Sequence, residues 1–167
     1  MAHRKSRLAL IAAAALLGYA GLRGKLRRYE IAETSMEPAL HPGDYVVAQT
    51  RSGNMSRGDI VIFPHPMRPD LELIKRVVGL PGEDINVSNG QVHINGAVLA
   101  EPWADGPTRP DGQWQLGSDQ VFVLGDNRSL SATDSRQIGP VDQVVVGWKV
   151  TARYWPVSGV GRIATEA

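Results

Sequence analysis

From residue 44 onward the chain is a succession of short β-branched runs, and this pattern restricts it more than any other feature. DYVVAQT (44–50), GDIVIF (58–63), LELIKRVV (71–78), DINVS (84–88), QVHI (91–94), QVFVL (120–124) and QVVVGWKVTARYW (143–155) each read as strands. Asn89-Gly90 joins two of them with type I′ hairpin chemistry, and Asn95-Gly96 marks a second tight turn. The stretch LAEPWADGPTRPDGQWQLG (99–117) carries Pro, Gly and Asp without alternation and predicts a surface loop. Helical periodicity is scarce beyond residue 29, and no internal repeat appears. The expected body is one compact, mainly β, antiparallel domain over 29–157, followed by a short tail at 158–167. At 167 residues the chain has room for that domain and an anchor.

The N-terminus differs in kind. Residues 1–28 hold seven of the 18 Lys and Arg and no acid, while residues 29–167 set the other 11 against all 17 acids, a net of −6. A basic tail suits nucleic acid, but here the uncharged run LALIAAAALLGYAGL (8–22) interrupts it, so no nucleic-acid partner is expected. Fifteen helical residues span about 22 Å against a hydrocarbon core of ~30 Å. Flanking cations that snorkel to headgroups still allow a single membrane-spanning anchor over 1–28. A cleaved secretory signal is the rival reading. It lacks a small-x-small site before a neutral stretch, because Arg23 to Arg28 follow directly. Charge does not orient the segment, with three cations before it and four after.

The absence of Cys removes thiol proteases, disulfides and Cys-ligated zinc. The four His are scattered without a His-x₃-His pair, so neither a metal nor another cofactor is expected. Two residues carry chemistry instead. Ser35 stands beside turn residues in TSMEPALHPGDY (34–45), where a serine is either structural or a nucleophile at the lip of a sheet. Lys75 lies in the alternating strand 71–78 in a row with Leu71, Leu73 and Val77, while Arg76 takes the opposite face. Such a lysine either snorkels from a sheet edge or is desolvated. An ordinary lysine at ~10.4 is neutral in about one molecule in 2,500 at pH 7, a deficit of ~4.6 kcal/mol. Burial lowers a lysine pKa by up to ~3–5 units and removes most of that deficit. A neutral lysine beside a serine hydroxyl is a catalytic pair that needs no histidine. No Gly-x-Ser-x-Gly elbow competes with it.

The motifs resemble those of type I signal peptidases, membrane-anchored Ser-Lys endopeptidases, in order over most of residues 30–156. SMEPALHPGDYVV resembles the nucleophile box, which implies Ser35 as nucleophile with Met36 beside it. RGDIVIF resembles the next strand box, and KRVVGLPGE the lysine box, which implies Lys75 as general base with Arg76 next to it. INVSNGQVHINGAVLAEPW resembles the family's hairpin, VFVLGDNRSLSATDSRQIGPV its last box, and YWP its aromatic end. The resemblance implies a scaffold around the lysine from Gly125, Asp126, Asn127, Arg128, Asp134, Ser135 and Arg136. It also implies secretory precursors with Ala-x-Ala-like signal-peptide ends as partners, and membrane lipid around the anchor. The β domain would then face the outer side of the cell membrane.

Three departures from the family pattern matter. Where the family often has a Ser two places before the nucleophile, this chain has Glu33. SLSAT between Arg128 and Asp134 is one residue longer than usual, which leaves open whether Ser131 or Thr133 faces the lysine. Only 50 positions separate Lys75 from Gly125, so the large second domain of some members is absent. HPMRPDLELIKRVV also resembles a narrower branch, the proteases that mature nickel-type superoxide dismutases. A membrane-tethered, non-catalytic β binding module is the reading from another class. If the segment at 33–35 is extended, Thr34 points away from Ser35. An ionised Glu33 only accepts hydrogen bonds and would repel an oxyanion, so it is expected to turn out of the site, with a backbone donor or water serving instead.

Overall fold

The computed structural model describes residues 24–163. The apolar segment 8–22 lies outside the described residues, and among the described residues no helix is long and apolar enough to cross a membrane. In chain order the strands are β1 (Leu26–Glu30), β2 (Tyr45–Thr50), β3 (Ile60–His65), β4 (Arg68–Gly79), β5 (Asp84–Ser88), β6 (Gln91–Ile94), β7 (Ala97–Val98), β8 (Gly112–Gln115) and β9 (Gln120–Leu124). A one-turn helix α1 (Ser135–Ile138) follows, then β10 (Val141–Asp142), β11 (Trp148–Trp155) and β12 (Gly161–Arg162). An eight-stranded sheet runs β1-β2-β11-β3-β4-β9-β10 with β12 against β11, and a smaller sheet runs β7-β6-β5-β8. All the strand pairings are antiparallel, so the expected mainly β, antiparallel class holds.

Alternation along β3 divides the core. Ile60 and Ile62 join Ile31, Met36, Leu40, Val46 and Val150 on one face of the large sheet. Val61 and Phe63 join Val77, Val121 and Val123 on the other. A third cluster, including Val78, Ile85, Val92, Phe122 and Leu124, joins the two sheets. Each such side chain fully buried contributes roughly 1.5–3 kcal/mol, so these three clusters fix the strands that carry the site. Asn89 (φ 53°) and Gly90 (φ 80°) both adopt the left-handed conformation a type I′ turn needs, and Asn95 and Gly96 repeat it.

Several expectations are corrected. Residues 99–117 are not wholly a surface loop: Gly112–Gln115 forms β8 against β5, and Trp103 (7% exposed) and Thr108 are buried. Gln113 and Gln115 occupy β8's outward positions, while Gly112 and Trp114 share the inward face. Only Trp114 has a side chain to pack there, on Phe122 with ring centroids 4.8 Å apart, so no apolar alternation is visible. The run 143–155 is not one strand. Gln143–Val145 makes a 3-10 turn with Val144 83% exposed, and β11 begins only after Gly147. The strand expected at 71–78 starts earlier, at Arg68. β1, with the sequence LRRYE, carries no apolar alternation and is held by pairing to β2 from Leu26↔Gln49 to Glu30↔Tyr45.

Candidate active site

After β1 the chain is clamped at Ile31, whose N–H donates to Asp44 O (2.8 Å) and whose carbonyl accepts from Gly43 N–H (2.8 Å). It then turns through a 3-10 turn, Thr34–Met36. This corrects the extended geometry considered for residues 33–35, so alternation does not decide where the Thr34 side chain points. Met36 is buried in the first core cluster, and this anchor fixes the backbone of Ser35 one residue earlier. A further tie comes from Asn127, whose N–H donates to Ser35 O (3.1 Å).

Lys75 enters from β4, opposite Val61 of β3, on the face that carries Leu73 and Val77. It is 3% exposed, which removes the snorkelling alternative. Its Nζ donates to Ser35 Oγ (2.9 Å) and to Ile74 O (2.9 Å). Burial pushes the Lys75 amine below its ordinary value; Asp134, Glu33 and Asp126 pull it back up, and Arg136 lowers it further. The pair opens onto a groove of about 280 Å³ whose lining includes Ile31, Glu33, Ser35, Leu73, Lys75 and Thr133. A wider hollow of about 940 Å³, around Arg51, Leu80 and Asp142, contains none of the site residues read from the sequence.

The scaffold residues gather behind the pair. Arg76 (1% exposed) forks onto Asp126 through Nε–Oδ1 (2.7 Å) and Nη2–Oδ2 (2.6 Å), and donates from Nη1 to Gly58 O (2.8 Å). A Cβ on Gly125 would lie 2.3 Å from Ser131 Oγ and 2.5 Å from Ser35 O. Only glycine lets the two segments approach this closely. Asp134 caps α1 with a reciprocal capping box to Gln137. Its carboxylate also accepts from Ser131 Oγ (2.7 Å), Gly125 N–H (3.2 Å), and Arg136 Nε (2.9 Å) and Nη2 (2.7 Å). Ser135 Oγ accepts from Val123 N–H (2.9 Å). Arg128 donates to Gly125 O (3.1 Å) and pairs with Glu101 and Thr108.

Neither Ser131 nor Thr133 hydrogen-bonds Lys75. Ser131 is committed to Asp134, and half-buried Thr133 lines the groove. Sequence reading overlooked Trp103, Glu101 and Thr108, which brace the scaffold from the stretch expected to be loop. Trp103 lies under the Arg76 guanidinium, 4.9 Å from ring centroid to Cζ. The EPW triplet was the available signal.

A family model described as signal peptidase, peptidase S26, matches residues 4–155. The chain belongs to that family. Among the similar members of peptidase S26, signal peptidase I of Leptolyngbya laminosa is 37% identical over 147 residues, covering 80% of this chain and 70% of the relative. The probable signal peptidase I-2 of a Synechocystis strain is 34% identical, covering 82% of this chain, which spans 66% of that relative's length. Signal peptidase IB of Staphylococcus aureus is 31% identical, with 78% of each chain covered. The crystal structure of a signal peptidase I from Enterococcus faecalis V583 superposes with a TM-score of 0.50 at 29% identity, covering 57% of this chain and 96% of the other.

Proposed function

We propose that this chain is a serine endopeptidase that removes signal peptides from secretory precursors at a membrane surface, with Ser35 as nucleophile and neutral Lys75 as base. The observation that carries the reading is the 2.9 Å contact between Lys75 Nζ and Ser35 Oγ in a buried setting open to a groove. Neutral Nζ takes the Ser35 proton as Oγ attacks the scissile carbonyl carbon. Negative charge collects on the carbonyl oxygen, and the Ser35 N–H, the second of the 3-10 turn's unpaired early N–H groups, supplies one donor to it. The lysine then gives the proton to the departing amine, leaving an acyl ester on Ser35. Water, deprotonated by the same Nζ, attacks the ester and frees the carboxylate product and Ser35.

The groove's modest volume and its apolar lining by Ile31, Leu73, Ile74 and Ala132 suit the small side chains of an Ala-x-Ala end. Residues 8–22, flanked by cations, serve as the membrane anchor, with the β domain on the outer side. The signal peptidase I names of the relatives favour general precursor processing over the dedicated maturation of one partner. Incubating the full-length chain with a secretory precursor tests this: one cut after Ala is expected. Ser35→Ala and Lys75→Ala should each remove it while the fold persists, and near wild-type cutting by either variant would overturn the pair.

A further inference from the structure

The charged residues lining the groove are Glu30, Glu33, His65, Arg68, Glu72 and Lys75. Most are committed or distant. Glu30 lies beside Tyr45, its cross-strand partner at the far end of β1, and Glu72 accepts from Arg27 Nη1 (3.0 Å) and Tyr29 OH (3.3 Å). His65 and Arg68 face each other at the β3–β4 hairpin, four residues along β3 from Val61, which lies opposite Lys75, a backbone distance of about 13 Å. Lys75 acts as base only when uncharged. Behind the pair, Asp126 is matched by Arg76 and Asp134 by Arg136.

Glu33 stands apart from all of these. It is exposed, lines the groove, precedes the 3-10 turn with extended backbone (φ −121°, ψ 163°), and caps nothing with its side chain. Among the described residues no hydrogen bond or ion pair engages its carboxylate. Two residues of chain place its Cα within about 7 Å of that of Ser35, inside the ~8 Å screening length at physiological salt. Among the described residues, the reactive end of the groove therefore carries, in its working state, a Glu33 charge that no cation pairs.

We propose that Glu33 is a specificity residue, selecting substrates that carry a cationic side chain within two residues of the scissile bond. This rests on the endopeptidase reading. An exposed charge pair at this range favours the cationic peptide by roughly twofold to fivefold. The effect disappears in 1 M salt, where screening acts over ~3 Å. Lys75 also senses Glu33, so replacing Glu33 alters the base for every substrate. The ratio between two peptides measured on one enzyme cancels that effect.

The experiment uses the full-length chain and a peptide with Ala at the first and third positions before the cut and Gln at the neighbouring sites. Three partners each carry a single Lys: at the second position before the cut, or at the first or second after it. Wild type should prefer at least one Lys peptide over its Gln parent in kcat/KM, Glu33→Gln should bring that ratio to about one, and Glu33→Lys should invert it. Cleavage of the parent with no Lys preference, or a preference that survives in Glu33→Gln, overturns the role of Glu33 alone. Failure of the wild type to cut any of the peptides overturns the endopeptidase reading and this role with it.

Discussion

At the scale of single residues, the site depends on buried groups that do not line the groove. Arg76 and Asp126 are each about 1% exposed and face each other through two short bonds. Removing one partner strands a buried charge, at a cost of roughly 3–5 kcal/mol, whereas replacing both with apolar groups costs far less. Arg76→Ala should therefore unfold at markedly lower denaturant than Arg76→Met combined with Asp126→Leu. Equal losses in both would show that the pair is not the buried unit described. Gly125→Ala acts differently, driving a methyl into Ser131 and Ser35 O, and such overpacking costs typically 1–3 kcal/mol. Its activity should fall further than its stability, because the displaced atom belongs to the backbone of Ser35, the proposed nucleophile. A serine among turn residues and a lysine breaking an apolar row each left two readings open. It was the family resemblance that singled out Ser35 and Lys75, which the fold brings within 2.9 Å of each other. What fixes their geometry was not legible. The contacts of Asp134 and Arg136 to Ser131 and Gly125 join residues that resemblance could name but no periodicity could pair.

Among elements, β1 separates two roles of the N-terminal segment. It pairs along its whole length with β2 and sends Arg27 and Tyr29 to Glu72 of β4. A chain beginning at Gly24 should keep cleavage of a soluble peptide and leave the membrane fraction. A chain beginning at Ile31 exposes the edge of β2, breaks one wall of the groove, and should lose solubility and activity together. Full activity from the shorter chain would show that β1 does not shape the groove. β5 and β6, with clear alternation, and β9, a short continuous apolar run bounded by turn residues, were readable at their ends from sequence. β7, β10 and β12 have two residues each, too few for any period to show. They exist because a neighbouring strand offers its edge. β1 and β8 escaped notice because each sends a single large side chain, Tyr29 or Trp114, to the core and shows no apolar alternation, so strand pairing does most of the holding.

Across the whole molecule, the mainly β, antiparallel class followed from the run lengths and the Asn-Gly turns, while the strand order β1-β2-β11-β3-β4-β9-β10 did not. Order depends on which apolar faces meet, and the division of β3 between two core clusters is a three-dimensional fact. The fold's joint product is the pKa of Lys75. β3, β4 and the nucleophile turn exclude water from it, α1 brings Asp134 and Arg136, and the turn after β9 brings Asp126. Desolvation dominates, so the folded value lies below the ordinary 10.5. Between those two values the unfolded chain holds a proton that the native chain has lost, so this group makes stability rise with pH across that window. The rate should rise with pH through the folded value for the same reason, since only the neutral amine accepts the Ser35 proton. The direct measurement is kcat/KM against pH for the full-length enzyme on a soluble Ala-x-Ala peptide. The midpoint of the acid limb should fall clearly below that of a free lysine, and Glu33→Gln should move it lower still by withdrawing a carboxylate that favours the charged amine. A limb at or above the free-lysine value would mean that Lys75 is an ordinary cation and not the base that activates Ser35.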